Sequence, residues 1–242
     1  MKLDALAFGA HPDDVELACG GTLAKLLNLG YATGMVSLTR GELGTRGTPE
    51  IRKSEFEAAA KILDLPVAKI LDIPDGNVAS TTVNRRKVID EIRKYRPSLI
   101  FLPYFKDRHP DHINASNLVR EACYQAGLIQ IESEYPAFRP TQLLFCTSYE
   151  SFAPSFVVDI SETFERKMNA VYAYKSQFHI PDRTNADNDN QTFISKPAFM
   201  EAVITRNKYY GNLIGAAYGE PFWIRETIPI DDPVSHFQNR KS

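Results

Sequence analysis

Ala5-Leu6-Ala7-Phe8-Gly9-Ala10-His11-Pro12-Asp13-Asp14 is the stretch on which the fold turns. Residues Ala5 to Ala10 form an apolar run between polar residues, which reads as a buried strand. Pro12 stands where it can open a helix, and it fixes the angle at which His11 and Asp13 leave the chain. A helix is predicted from about Asp14 to Leu29, ended by Gly30.

The same alternation continues outward. Gly34 to Thr39 reads as a second strand. Thr48-Pro49-Glu50 is a helix start, with a capping hydroxyl, proline at the first helical position and an acid in the first turn. Phe56, Ala59, Ala60 and Leu63 then share one helical face. Lys69 to Ile73 and Ser98 to Pro103 read as strands, and Thr82 to Arg96 and Asp111 to Ala126 as helices. Strand and helix in turn imply an α/β fold, a mostly parallel sheet with helices on both faces. The second half is less regular and reads as a C-terminal extension of the same 1–242 unit. Strands are expected at Gln142 to Thr147 and Phe156 to Ile160, a helix capped by Ser161, and a last helix over Pro197 to Tyr210. Residues 179–196 are polar and irregular.

A second motif, His109-Pro110-Asp111-His112, lies a few residues after the strand ending at Pro103. Ligands of open parallel sheets bind beyond the carboxyl ends of the strands, so both motifs should face one crevice. Five side chains able to bind a metal would then meet: His11, Asp13, Asp14, His109 and His112. Imidazole with carboxylate suits zinc, and a catalytic zinc needs only three protein ligands. At least two groups are left for acid–base work, which favours a catalytic over a closed structural site. Either motif alone is explained as well by an aspartate capping a helix beside a hydrogen-bonded histidine. Their pairing at two strand-to-helix turns is what points to chemistry.

With these residues in view, the chain resembles the PIG-L/LmbE superfamily of zinc-dependent N-deacetylases. The resemblance rests on Ala10 through Glu16, Gly20-Gly21-Thr22, Thr39 through Thr48, Arg52 through Glu55, and His109 through His112. Ser176-Gln177 and Gly219-Glu220-Pro221-Phe222 fit its bacterial branch. It implies a Rossmann-like fold and one zinc ion per chain, held by His11, Asp14 and His112. It implies Asp13 as general base, His109 as electrophile or acid, and Asp111 orienting His109. The implied substrate is a small acetylated sugar. N-acetylglucosaminyl-malate, as in bacillithiol biosynthesis, fits best, with chitin fragments as the alternative. Iron(II) could occupy the same ligands. A homo-oligomer is also implied, since bacterial relatives are often hexamers. Arg52 and Arg108 are candidate substrate contacts, because a malate carboxylate suits a guanidinium fork. For Arg52 the competing reading is an ion pair with Glu55 on its own helix.

Rival classes fit less well. No Gly-x-Gly-x-x-Gly follows the first strand and no Walker-type Gly-Lys-Ser/Thr occurs, which weighs against a nucleotide-binding module. A two-metal phosphoesterase needs more carboxylates. Asp187-Asn188-Asp189-Asn190 lacks the glycine and final acid of a calcium loop. A non-catalytic zinc scaffold would need a fourth protein ligand. The 242 residues are 43% hydrophobic and 24% charged, and a net charge of -2 gives no electrostatic case for nucleic acid or a membrane surface. Cys19, Cys123 and Cys146 are too scattered for a disulfide framework. With no signal-like or membrane-spanning run, the expected location is the cytoplasm.

Overall fold

The computed structural model describes residues 1–179 and 191–238, and of His236 only the backbone. Asp187 to Asn190 and most of the polar 179–196 stretch lie outside the described residues.

Five strands form the central sheet: β1 (Ala5–Gly9), β2 (Thr33–Ser37), β3 (Val67–Ile70), β4 (Leu99–Pro103) and β5 (Gln142–Cys146). Their order is β3-β2-β1-β4-β5 and every pairing is parallel. The chain runs outward from β1 to β3, then returns to place β4 on the other side of β1. The crevice between the ends of β1 and β4 is therefore the topological switch point of the sheet. Ala7 on β1 pairs with Met35 on one side and Phe101 on the other, so β1 is buried at both edges as well as both faces.

Because side chains alternate along a strand, β1 feeds two cores. Ala5 and Ala7 join the cluster formed with α1 (Asp14–Asn28), α2 (Pro49–Ile62), α5 (Phe164–Tyr172) and α6 (Pro197–Asn212). Leu6 and Phe8 join the opposite cluster, with α3 (Thr82–Tyr95) and α4 (Pro110–Ala126). The helix starts follow local chemistry. Thr48 Oγ1 accepts from Ile51 N at 3.3 Å ahead of Pro49, and Thr81 Oγ1 accepts from Asn84 N at 3.1 Å.

Several details depart from expectation. Ser161 does not cap α5; Thr163 occupies that position without a side-chain cap. Ser161 instead donates to Asp159 Oδ1 and accepts from Ala217 N and Tyr218 N, tying two loops together. Helix α6 is not the last element. It is followed by β7 (Gly219–Phe222), antiparallel to β6 (Phe156–Asp159), and by α7 (Pro233–Gln238). Glycine and proline hide β7 from a propensity reading, and the two-stranded pairing, not intrinsic preference, makes it a strand. Helix α1 is broken at Cys19, whose φ of -146° and ψ of 16° are not helical.

Gly9 closes β1 where the backbone turns sharply toward the first motif. A Cβ there would lie 2.9 Å from Cβ of Asp14 and 3.2 Å from the His11 carbonyl. Gly9→Ala is expected to cost about 1–3 kcal/mol through overpacking. Chemical denaturation would measure that loss, and a variant as stable as wild type would contradict the contact.

Candidate active site

Both motifs open at the switch point. His11, Asp13 and Asp14 follow β1, and His109 through His112 lead into α4. They line a single cleft of about 360 Å³ together with Asp75, Asp107, Arg108, Tyr149, Gln177 and Phe199. Two segments about a hundred positions apart thus meet because β1 and β4 are neighbours in the sheet.

Asp14 is the hub. Its Oδ2 lies 3.4 Å from His11 Nδ1 and its Oδ1 lies 3.2 Å from His112 Nε2. The remaining nitrogen of each imidazole meets a carboxylate of its own. His11 Nε2 is 3.0 Å from Asp75 Oδ1, and His112 Nδ1 is 3.0 Å from Asp107 Oδ2. A carboxylate behind each histidine fixes ring orientation and tautomer and raises the basicity of the inner nitrogen, as in metal sites. The ligand atoms of His11, Asp14 and His112 all lie within 4.8 Å of one another. His11, His109 and Asp111 meet the same distance limit. That second set is the poorer donor group. The Asp111 carboxylate already accepts from Gly76 N at 2.7 Å and Val78 N at 3.4 Å, and His109 Nδ1 accepts from Asp111 N at 3.2 Å. The first set fits a divalent cation with two imidazoles and one carboxylate.

Asp13 sits at φ 109° and ψ -24°, a region that favours glycine and costs about 1–3 kcal/mol for other residues. The turn is held from several sides. His11 N donates to Asp14 Oδ2 at 2.8 Å, Leu17 N donates to Asp13 O at 3.1 Å, and Arg52 clamps both Pro12 O and Asp13. The strain thus falls on a cleft-lining residue next to Asp14.

Charges in the cleft are set by burial and close neighbours. Burial lifts the Asp13 carboxyl to about 7; Arg52 opposes the rise and Asp14 adds to it. Burial also works against ionised Asp14, but His112 and His11 overcome it and hold that carboxyl well below its usual range. Burial disfavours charge on His112 as well, yet Asp14 and Asp107 raise it to about 10. His109 moves the other way, lowered by burial and by the charges of His11 and His112. A neutral His109 whose Nδ1 accepts from Asp111 N carries its proton on Nε2.

Two side chains predicted from the sequence have other contacts in the structure. Arg52 is buried and is neither a free substrate fork nor a partner of Glu55; its Nη2 donates to Asp13 Oδ2 at 3.2 Å and to the Pro12 carbonyl. Glu55 is engaged elsewhere, accepting from Ser176 N and Oγ, both at 2.7 Å. The Asp111 carboxylate does not orient His109, whose contact is with the Asp111 backbone N–H; that carboxylate faces His11 Nε2 at 3.4 Å. Arg108 stays at the exposed mouth of the cleft, its guanidinium stacked over Phe193 at 4.3 Å and Tyr149 at 5.1 Å. Asp75 and Asp107 were not foreseen. Each had a signal, since Pro74-Asp75-Gly76 follows the third strand and Asp107 lies in the loop that leads into α4, five residues before His112.

A parallel sheet bearing a His–Asp–His cluster at its switch point defines an α/β protein built around a candidate metal centre. The chain belongs to the PIG-L family, described as GlcNAc-PI de-N-acetylase, whose sequence profile matches residues 6–123. The diacetylchitobiose deacetylase of Thermococcus kodakarensis is 32% identical over 187 residues, spanning 72% of this chain and 69% of that protein. A probable N-acetyl-alpha-D-glucosaminyl L-malate deacetylase 2 of Bacillus cereus is 27% identical over 190 residues, spanning 73% of this chain and 84% of that protein. The crystal structure of a conserved protein from Thermus thermophilus superimposes with a TM-score of 0.84 at 39% identity, covering 95% of this chain and 98% of that one. Among the described residues no helix is long and apolar enough to cross a membrane.

Asp107→Asn is expected to weaken divalent-metal binding by about 10–100-fold, as loss of a carboxylate behind a ligating histidine does. His112→Ala should abolish binding. Chelator competition measures both; wild-type affinity in His112→Ala would remove His112 from the ligand set, and wild-type affinity in Asp107→Asn would show that the carboxylate behind His112 does not support binding.

Proposed function

We propose that the chain is a zinc-dependent hydrolase that removes the acetyl group from the nitrogen of an N-acetylglucosamine derivative. One observation carries the reading. Two imidazoles, each backed by its own carboxylate, converge on Asp14, while the neighbouring Asp13 carboxyl is lifted to about 7. Family membership and deacetylase relatives support it.

His11, Asp14 and His112 would hold the zinc. When bound, it supplies a Lewis acid for the acetyl carbonyl and brings a water's pKa near neutrality. The chain's own groups do the rest. Asp13, whose carboxyl burial raises, takes a proton from the attacking water. The same carboxyl then returns that proton to the departing amine nitrogen, so acetate and a free amine leave. His109 donates its Nε2–H to the oxygen on which negative charge develops, a contribution typically worth about 3–4 kcal/mol. Arg52 holds the Asp13 turn in its strained geometry and keeps the buried carboxyl from rising further.

The mouth bears on the substrate. Arg108 stacked on Tyr149 and Phe193 offers a guanidinium edge to an anion beside aromatic faces that suit a sugar ring. This supports N-acetylglucosaminyl-malate, with an acetylated chitin fragment as the second reading, since a diacetylchitobiose deacetylase is among the relatives.

Acetate release from a panel of N-acetylated sugars, with and without chelator, tests the reaction. Turnover that survives complete metal removal would end the proposal. Asp13→Asn should retain zinc and lose about 10²–10⁴-fold in turnover; wild-type turnover would dismiss it as the base. For specificity, Arg108→Gln should raise KM for the malate glycoside and leave that of neutral diacetylchitobiose near wild type. Equal effects on both would remove the carboxylate contact.

A further inference from the structure

The break in α1 exposes backbone groups that a continuous helix would satisfy, and the protein fills them with buried charge. Glu220, on β7, accepts from Gly21 N at 3.0 Å and Thr22 N at 2.7 Å, so it caps the second piece of the helix. Lys167, on α5, donates to the Leu17 carbonyl at 2.9 Å and to Glu220 at 2.6 Å. Arg206, on α6, donates to the same Leu17 carbonyl at 3.2 Å and to the Thr147 carbonyl at 2.9 Å. Lys167 and Glu220 are fully buried, an arrangement that hydrophobic residues would replace at little cost if stability were its only purpose.

The first piece of α1 is short. It carries Asp14 at its start, and Leu17 lines the cleft. The Leu17 carbonyl is gripped from α5 and α6 rather than by the next turn of its own helix. Arg206 reaches from that turn to the end of β5, where Thr147 and Ser148 wall the space beside Asp14 and His112. Side chains from the C-terminal half therefore hold both the turn that carries Asp14 and the end of β5 beside His112.

We propose that Arg206 and the Lys167–Glu220 pair are positioning residues, which set the Asp14 carboxylate for metal binding by holding the detached first turn of α1. This rests on the reading of His11, Asp14 and His112 as metal ligands. None of the three lines the cleft; they act through the Leu17 carbonyl and the Gly21 and Thr22 amides.

Purified full-length protein, loaded with zinc, provides the test. Arg206→Gln is expected to lower zinc affinity by about 10–100-fold in chelator competition, with kcat reduced and KM for the acetylated sugar little changed. Arg206→Lys, which keeps a cation able to reach one carbonyl, should recover part of that affinity, and it decides the matter if the glutamine variant does not fold. Arg93→Gln is the comparison. Arg93 donates to the carbonyls of Ala126, Leu128 and Ile131 on the far layer, at 2.8–2.9 Å, so its loss should lower the melting temperature and leave zinc affinity unchanged. Unchanged affinity in both Arg206 variants would overturn the proposal. So would an equal loss in Arg93→Gln, which would reveal general softening. A wild-type chain that binds no zinc would instead overturn the metal reading itself.

Discussion

Everything in the site hangs on one carboxylate. Asp14 stands between His11 and His112, one close in sequence and the other delivered by a different strand. Their meeting requires β1 and β4 to be neighbours while the chain between them winds away through β2 and β3. Reversal of strand order leaves a gap above β1, and α1 and α4 both start at its rim; Pro110 opens α4, whereas Pro12 stands ahead of the Asp13 cap and outside α1. The sheet therefore works as a device for bringing two short turns into register.

What surrounds that carboxylate is a division of charge. Adjacent aspartates in one buried turn cannot both ionise freely, and the structure resolves the conflict by partner choice. Asp14 is given two imidazoles and stays ionised; Asp13 is given one guanidinium and rises to about 7. Unequal environments for paired carboxyls are the usual way to obtain a ligand and a base from the same residue type. The backbone strain at Asp13 belongs to the same arrangement, since a relaxed turn would point the carboxyl elsewhere.

The irregular second half of the chain then acquires a purpose beyond covering the sheet. Helices α5 and α6 and strand β7 reach back under the first turn of α1, and α6 also supplies Phe199 to the cleft wall. Ser176 and Gln177 bind the loop around Arg46 and the flank of α2. Ser176-Gln177 and the Gly219–Phe222 strand are thus packing partners of the Arg46 loop, α2 and the second piece of α1.

The sequence by itself determined the parallel α/β core, the two histidine-bearing turns and most helix starts. Those features are written in short-range chemistry: apolar runs, capping hydroxyls and prolines act within a few residues of themselves. It also brought His11, Asp13, Asp14, His109 and His112 into one reading, because strand ends in such sheets share a crevice. Only the tertiary structure decided the partners. Asp75 and Asp107 behind the histidines, Arg52 on Asp13 and not on Glu55, and Glu220 beneath a broken helix are all contacts between segments with no local periodicity linking them. A buried polar group takes whichever counterpart the packed layers bring within reach, and that choice exists only once the layers have closed.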